Sequence, residues 1–263
     1  MILHNSEQEK TIIEGGKILA SVLHEVVRAV HPGVTTASLD VFAEKLIRDA
    51  GGVPSFKDYQ TPHDPFPYPA TLCISVNNEV VHGLPSARVL NDGDIVGLDI
   101  GMIYQGLFTD MAMTVPVGKV SKEKSELMKV TAAALEAGIA AVRTGVRTGD
   151  VGHAIAKVAR PFGYGIVREL VGHGVGLAVH EDPQLPNYGE KGKGEKLREG
   201  EVIALEPMLT LGKHHVKLAE DGWTWVTSDG SDAAHMEHTM IVRKTGAEVV
   251  TRRSNERIEN REK

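Results

Sequence analysis

A single cysteine, Cys73, occurs in 263 residues, so the chain can form no internal disulfide. That suits a reducing compartment. No apolar run approaches the ~20 residues needed to span a bilayer. The first ten residues, Met1 to Lys10, hold neither a basic stretch nor a long apolar one, so no secretory signal is expected there. An excess of positive charge is also missing. The net charge is −6, which argues against a general nucleic-acid binder. The expected setting is cytoplasmic, with no membrane and no specific nucleic acid as partner.

What is present is ordinary for a globular protein: 41% hydrophobic and 24% charged residues. Ser6 and Glu9 have capping-box spacing. Behind them Ile12, Leu19, Leu23, Val26, Val27 and Val30 trace one face of a helix. Gly15-Gly16 weaken its early turns, and Pro32-Gly33 end it. A second amphipathic helix is predicted over about 38–50. Four prolines between Thr61 and Pro69 predict an irregular loop. Strand-like runs follow at 71–76, 95–103 and 107–117. The second half repeats the order, with helices over about 121–142 and 148–159. Strand-like runs then come at 165–169, 202–211, 215–219, 235–243 and 248–251.

The repetition reaches individual residues. Asp92-Gly-Asp-Ile-Val-Gly-Leu-Asp99 matches Glu199-Gly-Glu-Val-Ile-Ala-Leu-Glu206 at an offset of 107. Thr109-Asp110-Met-Ala-Met-Thr-Val115 resembles Met236-Glu237-His-Thr-Met-Ile-Val242 at an offset of 127. Two copies are too few for a solenoid. They fit a pseudo-twofold α+β domain, with helices on one face of a curved antiparallel sheet. Residues 1–263 are expected to form one domain, with repeats at about 6–118 and 119–251 and a polar tail over 252–263. Each half brings an acidic residue to a matching strand position, so the site should lie between the halves.

Strand alternation gives these acids a chemical meaning. With Tyr104-Gln105 at the tip of a hairpin, Asp99 and Asp110 would lie directly opposite, their Cβ atoms ~5 Å apart. Two carboxylates facing each other in an apolar hairpin repel and resist burial. Either a cation removes that objection, or the register is off by one and one acid is solvated. Glu206, in Val202-Ile-Ala-Leu-Glu-Pro-Met-Leu-Thr, and Glu237, before Thr239-Met-Ile-Val242, favour the cation. A carboxylate-rich donor set suits Mn, Fe or Co better than a structural zinc. Two such ions can activate water and stabilise the oxyanion formed on a peptide carbonyl.

Three of twelve histidines stand out. His82 lies in Val80-Val-His-Gly-Leu-Pro85, His173 in Gly172-His-Gly-Val-Gly176, and His180 in Val179-His-Glu-Asp-Pro183. The first two occupy glycine-flanked turns, where the backbone can approach a ligand closely. His235 and His238 flank Glu237 but receive no role.

In this order and spacing, the motifs from Cys73 to Pro85, Asp99 and Asp110, Gly172 to Pro183, Glu206-Pro-Met and Met236-Glu-His-Thr resemble type I methionine aminopeptidases. The resemblance runs from about Ser6 to Thr251 and implies the pseudo-twofold pita-bread fold. It also implies two divalent ions, Fe, Mn or Co, with Zn as the alternative, held by Asp99, Asp110, His173, Glu206 and Glu237. Asp110 and Glu237 would bridge them. Glu206 would also move the proton of the attacking water, His82 would contact the substrate near the scissile amide, and His180 would donate a hydrogen bond to the oxyanion. Tyr68, Cys73 and Trp223 would line the methionine pocket. Cys73 is not expected to be a nucleophile, because no base and orienting group accompany it.

The implied activity is co-translational removal of methionine from nascent N-termini with a small second residue, by a monomer that would work at the ribosome. Two features depart from the family pattern: the proline-rich stretch Pro65 to Pro69, and Val179 where an aromatic residue often precedes the histidine. No zinc-binding extension is expected before the first helix. Only 26 positions separate His180 from Glu206, which leaves no room for the type II insertion. The rival enzyme is an X-Pro aminopeptidase or prolidase, which usually carries an additional N-terminal domain. The rival from another class is a non-catalytic pita-bread module, which usually loses metal ligands.

Overall fold

The computed structural model describes residues 1–62 and 64–253. Most of the expected polar tail lies outside these. Among the described residues, four helices carry the outer layer: α1 (Ser6–Arg28), α2 (Thr36–Asp49), α3 (Lys122–Ala141) and α4 (Thr148–Ala159). The cap of α1 is Asn5, whose side chain accepts from the Gln8 amide at 2.9 Å. The helix therefore starts at the expected place, but the Ser6–Glu9 capping box does not form. Asn is as good an N-cap as Ser, and it stands one residue earlier.

Every strand pairing among the described residues is antiparallel, in two larger sheets and two three-stranded ones. In the first half, Ile95–Tyr104 pairs with Leu72–Val76 on one side and Leu107–Pro116 on the other. Leu19, Leu23 and Val26 of α1 and Leu39, Ala43 and Ile47 of α2 pack with Ile74, Leu98 and Ile100 of that sheet in one buried cluster. In the second half, the five-stranded sheet centres on Val202–Leu205, between His238–Arg243 and Gly172–Gly174. Leu127, Leu135 and Ile155 from α3 and α4 join Ile203, Leu205 and Met240 in a matching cluster. Burying each such aliphatic side chain contributes about 1.5–3 kcal/mol before entropy is counted.

Gly16 explains why α1 tolerates a weak pair of residues. A Cβ there would sit 2.6 Å from the Val250 carbonyl oxygen. The lost helix propensity is exchanged for close packing of the two ends of the chain.

Two expected strands are each broken in two. The run 202–211 divides into Val202–Leu205 and Met208–Thr210, and the run 235–243 into Ala233–His235 and His238–Arg243. The breaks fall at Glu206-Pro207 and Met236-Glu237, so both acids leave the ladder where their strands change sheets. Pro207 lacks the amide needed to continue a ladder.

The hairpin register also differs from expectation. Tyr104 pairs with Leu107, and the two-residue turn is Gln105-Gly106 with φ of 47° and 83°. Glycine at the second position of such a turn favours this choice. Asp99 therefore opposes Ala112, and Asp110 opposes Gly101. A shift of two keeps both aspartates on one face, as diagonal rather than direct neighbours.

Threonines join the two halves at this hairpin. The Asp110 amide donates to Thr239 Oγ1 at 3.0 Å, and that hydroxyl donates to the Asp110 carbonyl at 2.7 Å. Thr114 Oγ1 makes the same paired contact with the backbone of His235, 2.9 Å each way. Between them the Glu237 amide donates to the Ala112 carbonyl at 2.9 Å.

Candidate metal centre and substrate pocket

All ten side chains singled out in the sequence line one cavity of about 330 Å³. At its floor are Asp99, Asp110, His173 and Glu237, all under 10% exposed, with Glu206 beside them. Asp110, His173 and Glu237 each place a donor atom within 4.8 Å of the others. Asp99 and Asp110 face the same cavity from paired strands, and Glu206 Oε1 lies 3.4 Å from His173 Nε2.

Local sequence delivers His173 by close backbone contact. A Cβ at Gly174 would lie 2.2 Å from the Asp182 carbonyl oxygen, so only glycine lets this short strand lie against its neighbour. His173 Nδ1 is 2.9 Å from the Gly174 carbonyl oxygen, to which it must donate. Nε2 is thereby left with its lone pair, the tautomer a metal ligand needs.

The electrostatics call for a cation. Burial pushes the carboxyls of Asp99, Asp110, Glu206 and Glu237 above their usual range, and mutual repulsion adds to this for Asp99, Asp110 and Glu237. Burial, with His180 nearby, pulls His173 down to about 3, so it is a neutral imidazole. Asp99 Oδ1, Asp110 Oδ1 and Glu237 Oε1 are buried without a hydrogen-bond partner. Such orphaned oxygens are costly in a dry site. A divalent ion coordinated by them removes the cost, so the residues present fit a metal centre.

Above the acids is an apolar wall. Phe56, Tyr68, Cys73, Val179 and Trp223 pack together. Tyr68 Oη lies 2.9 Å from the carbonyl oxygens of both Leu72 and Gly83, and its ring meets Trp223 edge-on at 5.1 Å. The proline-rich loop takes part: Phe66 O accepts from Trp223 Nε1 at 3.2 Å, and Pro65 lines the cavity. Both departures from the family pattern, this loop and Val179, thus border the substrate space. Burial and the nearby Asp99 push the Cys73 thiol well up, which removes it from nucleophilic chemistry at neutral pH.

His82, held at a φ of 58° after a short strand, lies 6.3 Å from Trp223 ring to ring. Burial lowers it to about 4, with His180 and His235 adding to the effect. The His180 ring stands edge-on to His173 at 4.5 Å. Two neighbours of the site were not assigned from sequence. Tyr59 Oη is 2.8 Å from His180 Nδ1, and His235 Nε2 is 3.4 Å from Glu206 Oε2. Tyr59 carries no local signal. His235 does, because it stands two residues before Glu237.

A model of metallopeptidase family M24 matches residues 10–244. The methionine aminopeptidase of Treponema pallidum is 47% identical over 246 residues, covering 93% of this chain and 94% of its own. Methionine aminopeptidase 1 of Bacillus subtilis is 42% identical over 253 residues, covering 96% and 100%. The crystal structure of methionine aminopeptidase from Thermotoga maritima superimposes with a TM-score of 0.91 at 41% identity, covering 96% of this chain and 100% of that one.

Proposed function

The chain belongs to metallopeptidase family M24 and removes N-terminal methionine from proteins, and from that premise we propose how its own residues bind and cut the substrate. Asp99, Asp110, His173, Glu206 and Glu237 would hold two divalent ions. The observation that carries this is the set of orphaned carboxylate oxygens, drawn from two paired strands and a strand break and facing one cavity. The oxygen-rich donors favour Fe, Mn or Co over Zn. When bound, the metal pair supplies an activated water and polarises the scissile carbonyl.

The protein's own groups do the rest. The methionine side chain, flexible and apolar, lies against Phe56, Tyr68, Cys73, Val179 and Trp223. Glu206 accepts the proton of the attacking water on a carboxylate oxygen and returns it to the leaving amine. His180, neutral because burial lowers its pKa, donates to the developing oxyanion. His82 contacts the substrate beside the scissile amide. His82, His180 and Trp223 line the cavity together, which supports a small second residue.

The chain is read as one catalytic domain, acting as a monomer in the cytoplasm on nascent N-termini at the ribosome. No helix among the described residues is long and apolar enough to cross a membrane.

The test is a peptide panel after metal depletion and add-back. Met-Ala and Met-Gly peptides should be cut only with metal restored. Full activity after chelation and dialysis would overturn the metal centre. Release of X from X-Pro peptides with Met-Ala untouched would overturn the methionine pocket.

A further inference from the structure

His235 is a buried polar residue beside Glu206 and Glu237 with no part in the steps of hydrolysis. It is 3% exposed and ends the strand Ala233–His235. The Thr114 hydroxyl fixes its backbone from both sides, at 2.9 Å. The ring is thereby delivered between two carboxylates. Nε2 lies 3.4 Å from Glu206 Oε2 and 3.9 Å from Glu237 Oε2, and it has no hydrogen-bond partner.

Glu206 therefore sits between two imidazoles, one per oxygen, since Oε1 is 3.4 Å from His173 Nε2. The two rings are not equivalent. His173 must carry its proton on Nδ1, because Nδ1 faces the Gly174 carbonyl oxygen. Its Nε2 lone pair can tolerate a carboxylate oxygen only with a cation between them. No such bond binds the proton of His235 away from Nε2. With two carboxylate oxygens nearest, a proton on Nε2 is favoured there and a lone pair is repelled.

We propose that His235 is a positioning residue whose Nε2–H donates to Glu206 Oε2, fixing the rotamer that turns Oε1 toward His173, where a metal would be held. A small rotation of the Glu206 side chain shortens the contact from 3.4 Å into hydrogen-bonding range. Groups that orient a metal-binding carboxylate in this way typically control affinity and rate by 10–100-fold. The proposal rests on the role given to Glu206 above.

The experiment compares His235→Leu, which removes the donor, with His235→Gln, whose amide restores one. Metal affinity is read by calorimetry, ligand field by the Co(II) absorption spectrum, and turnover on a Met-Ala peptide. His235→Leu should bind metal about tenfold more weakly and lose at least about tenfold in kcat, with KM within about twofold. His235→Gln should recover most of both losses and keep the Co(II) spectrum of the parent. Should His235→Leu fail to fold, His235→Asn, whose amide is too short to reach, takes its place.

Parent-like affinity and kcat in the donor-free variant would overturn the proposal. So would a changed Co(II) spectrum in His235→Gln, which would make His235 a ligand. Glu206→Gln serves as the control. If it retains activity, the role of Glu206 fails. If it is inactive while His235→Leu is normal, only the positioning role fails.

Discussion

The phenolic oxygen of Tyr59 lies 2.8 Å from Nδ1 of His180, across 121 residues of sequence. Burial and the field of Asp64 raise the Tyr59 pKa, so the phenol keeps its proton. Burial lowers His180, so the imidazole stays neutral. The consistent arrangement is Tyr59 donating to Nδ1, which places the single ring proton of His180 on Nε2. An oxyanion needs a donor at that atom. Tyr59→Phe keeps the ring and removes the hydroxyl, at a cost of about 1 kcal/mol. Steady-state kinetics on a Met-Ala peptide should show kcat lower by about fivefold to tenfold, with KM little changed. A rise in KM alone would make Tyr59 a pocket wall and nothing more.

The acids make a stronger demand. Asp110 is 4% exposed, and its orphaned Oδ1 faces the site. Asp110→Asn keeps the shape and removes the charge a cation requires, so metal binding and kcat should each fall by at least about a hundredfold. Calorimetric titration with Mn(II) or Co(II), alongside turnover, checks both. Glu206→Gln should also nearly abolish turnover. Because it removes the proton acceptor as well, its loss in kcat should exceed what its weaker metal binding explains.

Much of this was legible in the chain. Helices α1 to α4 follow from apolar spacing, which depends only on neighbours three and four residues away. The acidic pairs follow from the internal repeat. The hairpin register does not, because the turn places Gln105, a non-glycine residue, at positive φ. Three-residue strands such as Glu79–Val81, Gly172–Gly174 and Trp225–Thr227 were also beyond reach. So short a strand exists only because a distant partner pairs with it. The contacts of Tyr59 with His180 and His235 with Glu206 fail for the same reason, since each is made by tertiary folding alone.

The apolar wall separates packing from chemistry. Trp223 is 7% exposed and meets Tyr68, Phe66 and His82 edge-on. Trp223→Ala should cut kcat/KM for Met-Ala peptides by about a hundredfold or more, given the ~3–5 kcal/mol such truncations cost in cores. Cys73→Ser should act differently. A buried hydroxyl beside Asp99 is tolerated less well than a thiol, so KM should rise. Hydrolysis should persist, because the raised thiol pKa excludes a thiolate nucleophile. Loss of all turnover in a folded Cys73→Ser protein, with metal still bound, would show that the thiol takes part in the reaction.

The turn that carries His180 has its own pH dependence through Glu181. Burial alone would raise this carboxyl, but the Met1 α-ammonium and the amides of Ala178 and Leu177 outweigh it and hold the pKa below 4.5. The ammonium is 2.8 Å away, and the amides donate at 3.0 and 2.5 Å. A depressed carboxyl pKa means that the folded state binds its proton less readily than the unfolded state. The stabilisation is therefore fully present above about 4.5 and is lost as pH falls through the lower folded value. Since Glu181 is partly exposed, solvent screening keeps the contribution modest. Glu181→Gln should melt a few degrees lower than the parent at pH 7. The gap should narrow steadily as pH drops below 4.5, in melts followed by circular dichroism. A gap that stayed constant to pH 3 would show that packing of the side chain, rather than its charge, braces the His180 turn.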